Sequence, residues 1–206
     1  MKIVTRLPAV NQQKHLDLLN EGWVLLKEPR TMAMALLCSV PLMLLGGFVT
    51  FGLIALTSDI SWSMFGFEAQ SFSMTIRLDY ILALILLLLI HESLHLLFIP
   101  HFISSTTTLI GLTYAGGFVY TEQELSKSRY IVITVAPYIV ISLVLPLLFG
   151  ALGIFTPLLK LAVLLNALAS SVDMLNLLIV SGQVPSRARI KSNGSNTYWR
   201  PEARGR

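Results

Sequence analysis

Residues 78–102 read LDYILALILLLLIHESLHLLFIPHF. From Leu78 to Ile99 this run has the length of a membrane-crossing helix, which takes about 20 apolar residues. Its aliphatic order is interrupted by His91, Glu92 and His95. An ionisable group at the centre of a membrane helix costs about 2.5–3.5 kcal/mol on insertion scales, so three of them within five positions call for a chemical reason.

The three form the pattern H-E-x-x-H. Histidines at i and i+4 share one helix face and can reach one zinc ion, while the glutamate between them can contact a water on that ion. The chemistry this suits is metal-assisted hydrolysis, in which the metal acidifies the water and polarises a carbonyl, and the carboxylate accepts the proton. At ordinary residue frequencies such a pattern arises by chance in a chain of this length on the order of 1 time in 200. A cluster of hydrogen bonds between helices is the alternative reading.

The rest of the 206-residue chain supports the membrane setting. It is 54% apolar and 13% charged, with a mean hydropathy of +0.72, against about 25% charged residues in a soluble domain. Three further apolar stretches are long enough to cross: Met32 to Leu56, Ile131 to Leu152 and Pro157 to Val180. The expected architecture is therefore all-α and integral to the membrane, with four spans. In the first span Pro41 invites a kink, and Gly46-Gly47 invites close approach of another helix. That stretch is longer than the apolar core of a signal peptide and about 30 residues precede it, so it reads as a retained span. The single cysteine, Cys38, excludes an intrachain disulfide and a CxxC site, leaving histidines and carboxylates to build any metal centre.

Charge sets the expected orientation. Thirteen of the 15 lysines and arginines lie before the first span, between the second and third, or after the fourth; only Arg77 and Lys160 lie on the other side. The positive-inside rule then places both termini and the 100–130 connection in the cytoplasm. The net charge of +4 reflects this arrangement, and because no basic patch carries interleaved aromatics, nucleic acid is not an expected partner.

A zinc site open to water takes three protein ligands. At 1.5 Å per residue, His91 and His95 lie roughly 20 and 25 Å below Leu78, and Asp173 lies roughly 24 Å below Pro157 in the span that runs the same way. Asp173 is thus the expected third ligand, with a bond to a neighbouring helix as the alternative. Glu122 and Glu124 fall in the cytoplasmic connection, where Thr121 and Glu124 can form a capping box. Asp79 and Glu68 fall about 20 Å away at the outer face, and His101 follows Pro100 at the inner boundary. Asn166 and Asn176 flank Asp173. Either can orient the aspartate, hold a substrate carbonyl or oxyanion, or simply join helices.

On these residues the sequence resembles the zincin peptidase family of small bacterial membrane proteins, which is itself similar to the intramembrane site-2 proteases. The resemblance is carried by Gly22-Trp23, Glu28-Pro29, His91-Glu92-Ser93-Leu94-His95, Ser126-Lys127, Ala136-Pro137, and Asp173 with Asn176. It implies that His91, His95 and Asp173 hold one zinc per chain, that Glu92 is the general base, and that the setting is the bacterial cytoplasmic membrane. The fourth span departs from the site-2 pattern: Met174 follows Asp173 where glycine is usual, and no proline lies between Asn166 and Asp173.

Outside the spans, Gln13 to Lys27 has the spacing of an amphipathic surface helix, with Leu16, Leu19, Trp23 and Leu26 on its apolar side. Ser58 to Ile76 carries Trp62, Phe65, Phe67 and Phe72, as an interfacial loop would. Thr107 to Tyr120, with Gly116-Gly117 between β-prone runs, suggests a hairpin at the mouth of the site. Its edge offers a place for an extended substrate strand; a plain surface hairpin is the alternative. The tail is polar and basic, with Asn193-Gly194 as a turn and Tyr198-Trp199 as an interfacial pair. The expected division is an N-terminal surface segment (1–31), a membrane domain with the zinc site (32–181) and a basic tail (182–206). The expected function is a membrane-embedded zinc metalloprotease acting on membrane proteins or peptides near the inner boundary. The competing class is a non-catalytic metal-binding membrane protein, either a pseudoprotease or a transporter component.

Overall fold

A computed structural model describes residues 1–61, 78–113 and 116–202. The aromatic connection Trp62 to Phe72, Arg77, Arg204 and Arg206 lie outside these. Among the described residues four helices are long and apolar enough to cross a membrane: Met32–Thr57, Leu78–Leu97, Lys127–Ala151 and Pro157–Gln183. The described residues are mostly helical, and they also form two β-sheets.

Strand β1 (Lys2–Val4) and helix α1 (Gln12–Asn20) come first, then strand β2 (Val24–Leu25) and helix α2 (Met32–Thr57), the first span. Thr31 caps α2 by accepting from the Met34 N–H. The helix runs unbroken through Pro41, and Gly46-Gly47 is where its neighbours come close. A Cβ at Gly46 would lie 3.3 Å from the Tyr138 ring, and one at Gly47 would lie 2.8 Å from Leu168.

The second span is helix α3 (Leu78–Leu97). The third is compound: helix α4 (Lys127–Pro137), a π-helical turn over Tyr138–Val144, then helix α5 (Leu145–Ala151). The fourth, expected as one helix, breaks at Ser170 into helix α6 (Pro157–Ala169) and helix α7 (Ser171–Gln183). Ile54, Ile141, Phe155 and Val163 form a buried cluster joining spans one, three and four. Helix α4 is capped by Ser126, which accepts from the Arg129 N–H, and not by the expected Thr121 and Glu124 box.

The larger departure from an all-α expectation is the folding of the segments outside the four long helices onto one another. Strand β3 (Thr108–Thr113) pairs with β4 (Gly116–Thr121), and β1 adds in parallel to β3, giving the order β1-β3-β4. The expected hairpin exists, but Gly116 and Gly117 are paired within β4 and do not form its turn. The tail folds as strands β6 (Ala188–Asn193) and β7 (Asn196–Pro201), which join β2 and β5 (Leu125–Ser126) in the order β2-β7-β6-β5. Because successive spans reverse direction, the N-terminal segment, the 98–126 connection and the tail all emerge at one end of the bundle, and only there can these strands meet.

Burial changes the reading of two apolar pairs. Trp23 and Leu26, expected on a bilayer-facing helix, lie beyond the end of α1 and are buried, Trp23 with Leu18 and Tyr198, and Leu26 with Val180, Val184 and Ile190. Leu16 and Leu19 alone of that stripe remain exposed. Tyr198, expected at the interface, is fully buried, and its hydroxyl lies 2.7 Å from His15 Nδ1. Trp23 is flanked by the Arg200 guanidinium, 4.5 Å from its ring, a contact that stabilises by about 0.5–2 kcal/mol.

Candidate metal centre

Helix α3 carries His91, Glu92 and His95, with Glu92 and His95 buried. The break at Ser170 puts Asp173 in the first turn of α7, where unpaired N–H groups and the helix dipole favour a carboxylate. The two helices bring the three expected ligands together: His91 Nε2 lies 3.4 Å from Asp173 Oδ2, and His95 Nε2 lies 3.7 Å from Asp173 Oδ1. All three donor atoms fall within 4.8 Å of one another. The imidazoles meet edge-on, with centroids 5.0 Å apart.

These separations exceed the 2.7–3.2 Å of an ordinary hydrogen bond. They suit a shared cation better: with metal–ligand bonds of about 2.1 Å, two tetrahedral zinc ligands sit about 3.4 Å apart. Two imidazoles and one carboxylate form a donor set that zinc accepts and that leaves a position open. The residues present therefore fit the ion.

The other ring nitrogens are held. His91 Nδ1 lies 2.9 Å from Asn166 Oδ1, and His95 Nδ1 lies 2.7 Å from the Ile133 carbonyl oxygen. Asn166, expected beside the aspartate or a substrate carbonyl, is almost wholly buried, and its amide nitrogen donates to the Pro137 carbonyl and to Ser142 Oγ. Asn176 lines the same cleft as Asp173.

Glu92 stands apart from these bonds. Its Oε2 is buried and has no hydrogen-bond partner among the described residues. Strand β4 presses on it from above: a Cβ on Gly117 would lie 2.5 Å from Glu92 Oε1, so only glycine lets the strand come this close. The cleft around the site measures about 1180 Å³ and runs from β4 to the apolar faces of α2 (Leu36, Val40) and α3 (Leu84, Leu88).

The rival groups lie elsewhere. Glu122 is paired with Lys14 at 2.6 Å and accepts from the Tyr120 hydroxyl at 3.0 Å; burial pushes the Tyr120 phenol up to about 12. Glu124 faces Arg200, and His101 sits in an exposed turn with φ +50°. Sequence reasoning places Gly117 in a hairpin at the mouth of the site but not against Glu92, and it misses Ile133, Pro137 and Ser142 as neighbours of the site. Of these three only Pro137, a proline inside an apolar span, carries a visible signal.

The sequence profile of the family described as "Putative zincin peptidase" matches residues 84–188, about half of the chain, and spans all four site residues. The chain belongs to that family. No curated protein and no solved structure matches it. Membership gives a peptidase of the zincin kind at the level of the family, and zinc as the metal the family implies.

Proposed function

We propose that the protein is a membrane-embedded zinc metalloprotease, similar in its chemistry to the site-2 proteases, that hydrolyses peptide bonds near the cytoplasmic boundary of the membrane. The observation that carries this is the buried Glu92 Oε2, without a hydrogen-bond partner among the described residues, beside three donor atoms spaced for one cation. His91 Nε2, His95 Nε2 and an Asp173 oxygen hold the zinc, which when bound supplies Lewis acidity to a water and to a peptide carbonyl. Glu92 takes the proton from the attacking water and returns it to the leaving amine. The apolar walls from α2 and α3 suit a substrate that arrives from the bilayer. Strand β4 has one edge free among the described strands and lines the cleft, so an extended peptide adding to that edge would run past Glu92. The excess of lysine and arginine at the sheet end of the bundle supports a cytoplasmic position for that end and for both termini.

The test is the Glu92→Gln variant, compared with wild type for zinc content and for new peptide ends among the membrane proteins of expressing cells. Zinc is retained and the ends generated by wild type disappear, since loss of a general base typically costs 10²–10⁴ in rate. Identical ends from both proteins, with zinc bound in both, would replace this reading with a non-catalytic metal-binding protein.

A further inference from the structure

Pro137 connects the two histidines. In an α-helix the carbonyl of residue i accepts from the N–H of residue i+4. Proline has no N–H, so the Ile133 carbonyl in α4 lacks that donor. It accepts instead from His95 Nδ1 at 2.7 Å. The carbonyl of Pro137 itself, where α4 widens into the π-helical turn, accepts from Asn166 Nδ2 at 3.1 Å. A carbonyl can only accept, so this bond orients the Asn166 amide with its oxygen towards His91 Nδ1, 2.9 Å away. Ser142, in the π-helical turn, completes the network by accepting from the same Asn166 nitrogen at 2.9 Å and donating to the Val163 carbonyl at 3.1 Å. Both imidazoles are thereby required to carry their proton on Nδ1, which leaves each Nε2 lone pair on the side of Asp173.

We propose that Pro137 is a positioning residue for both zinc-binding histidines. It fixes the tautomer and ring orientation of His95 through the carbonyl it frees, and of His91 through the carbonyl it offers to Asn166. This rests on the reading of His91, His95 and Asp173 as zinc ligands. Outer partners of this kind hold a ligating imidazole ready and raise its basicity. Pro41 supplies the contrast within the same molecule. It too lacks an N–H, yet it is exposed on the outer face of α2 and does not line the cleft.

The experiment uses full-length protein in detergent. Zinc affinity is measured by chelator competition for wild type, Pro137→Ala and Pro41→Ala. The histidine tautomers of zinc-free wild type are read by ¹⁵N NMR at mildly alkaline pH, where imidazoles are neutral, with His15→Ala and His101→Ala to assign the signals. His91 and His95 both show the Nδ1–H form. Pro137→Ala restores an N–H that competes for the Ile133 carbonyl, and it weakens zinc binding by about 10- to 100-fold. The thermal stability of its zinc-free form holds or rises, because a helix bond is regained. Pro41→Ala binds zinc as wild type does. A merely structural role for Pro137 would lower stability and leave the affinity of the folded fraction unchanged, and that result overturns the proposal. So does an Nε2–H tautomer at either histidine in wild type, which needs no variant to fold. Wild type that binds no zinc while showing both Nδ1–H forms overturns the metal reading itself.

Discussion

Gly117 on β4 faces Glu92 on α3 so closely that a single added carbon would lie 2.5 Å from the carboxylate oxygen. The strand that covers the cleft and the helix that carries the candidate base are thus in direct contact, and the contact depends on the absence of a side chain. Any shift of β4, by a substrate strand or by substitution, is felt first at the Glu92 carboxylate.

Gly117→Ala therefore displaces Glu92 while leaving the donor atoms of His91, His95 and Asp173 in place. Zinc content stays at the wild-type level and proteolysis falls by about 10²-fold, the cost typical of a misplacement near 1 Å. Parallel metal analysis and peptide-end mapping check this. Loss of zinc together with activity would show that β4 supports the ligands as well.

Purified protein carries about one zinc per chain, as expected of a three-ligand open site. His91→Ala and His95→Ala each abolish binding. His15→Ala and His101→Ala retain it, because His15 bonds Tyr198 and His101 lies in an exposed turn past the end of α3 and does not line the cleft. Asp173→Asn weakens zinc without abolishing it, since an amide is an uncharged and poorer ligand. Elemental analysis after dialysis reads all five variants.

Topology is tested with single cysteines in a Cys38→Ala background. A cysteine at Ser61 reacts with an impermeant thiol reagent applied to intact cells, and cysteines at Ser104 and Ser195 do not. The distribution of 13 basic residues against 2 motivates this expectation. External labelling at Ser195 would invert the orientation and place the sheet end outside.

Glu28 ties the tail to the segment before the first span by accepting from the Thr197 N–H at 3.0 Å. Burial raises its pKa above the ordinary 4.5, and the bond to Thr197 opposes the rise only in part. Folding thus favours the neutral form relative to the unfolded chain. Its stabilising contribution is fully present below the unfolded pKa and is lost as pH rises through the folded one. Glu28→Gln keeps an acceptor for Thr197 without the charge, so it raises the melting temperature at neutral pH. That gain vanishes in acid below the ordinary carboxylate range. A gain that persists unchanged in acid would assign it to something other than the charge.

The four helices of membrane-crossing length and the histidine pair were legible in the sequence because both rest on local relations along one helix. Hydropathy over about 20 residues identifies a span, and a spacing of four residues puts His91 and His95 on one face. Even the level of Asp173 followed from rise per residue, because two spans that run the same way share a common axis. The rest depended on partners remote in sequence. Val24 pairs with Trp199 and Leu125 with Ile190, so the hairpin of the polar, basic tail grows into a four-stranded sheet only when the bundle delivers three segments to one end. The break at Ser170, the turn of Asn166 towards His91 and the pressure of Gly117 on Glu92 are likewise absent from any local pattern. A backbone carbonyl or a missing Cβ has no signature in the residue that uses it, and packing alone decides which imidazole or carboxylate it meets.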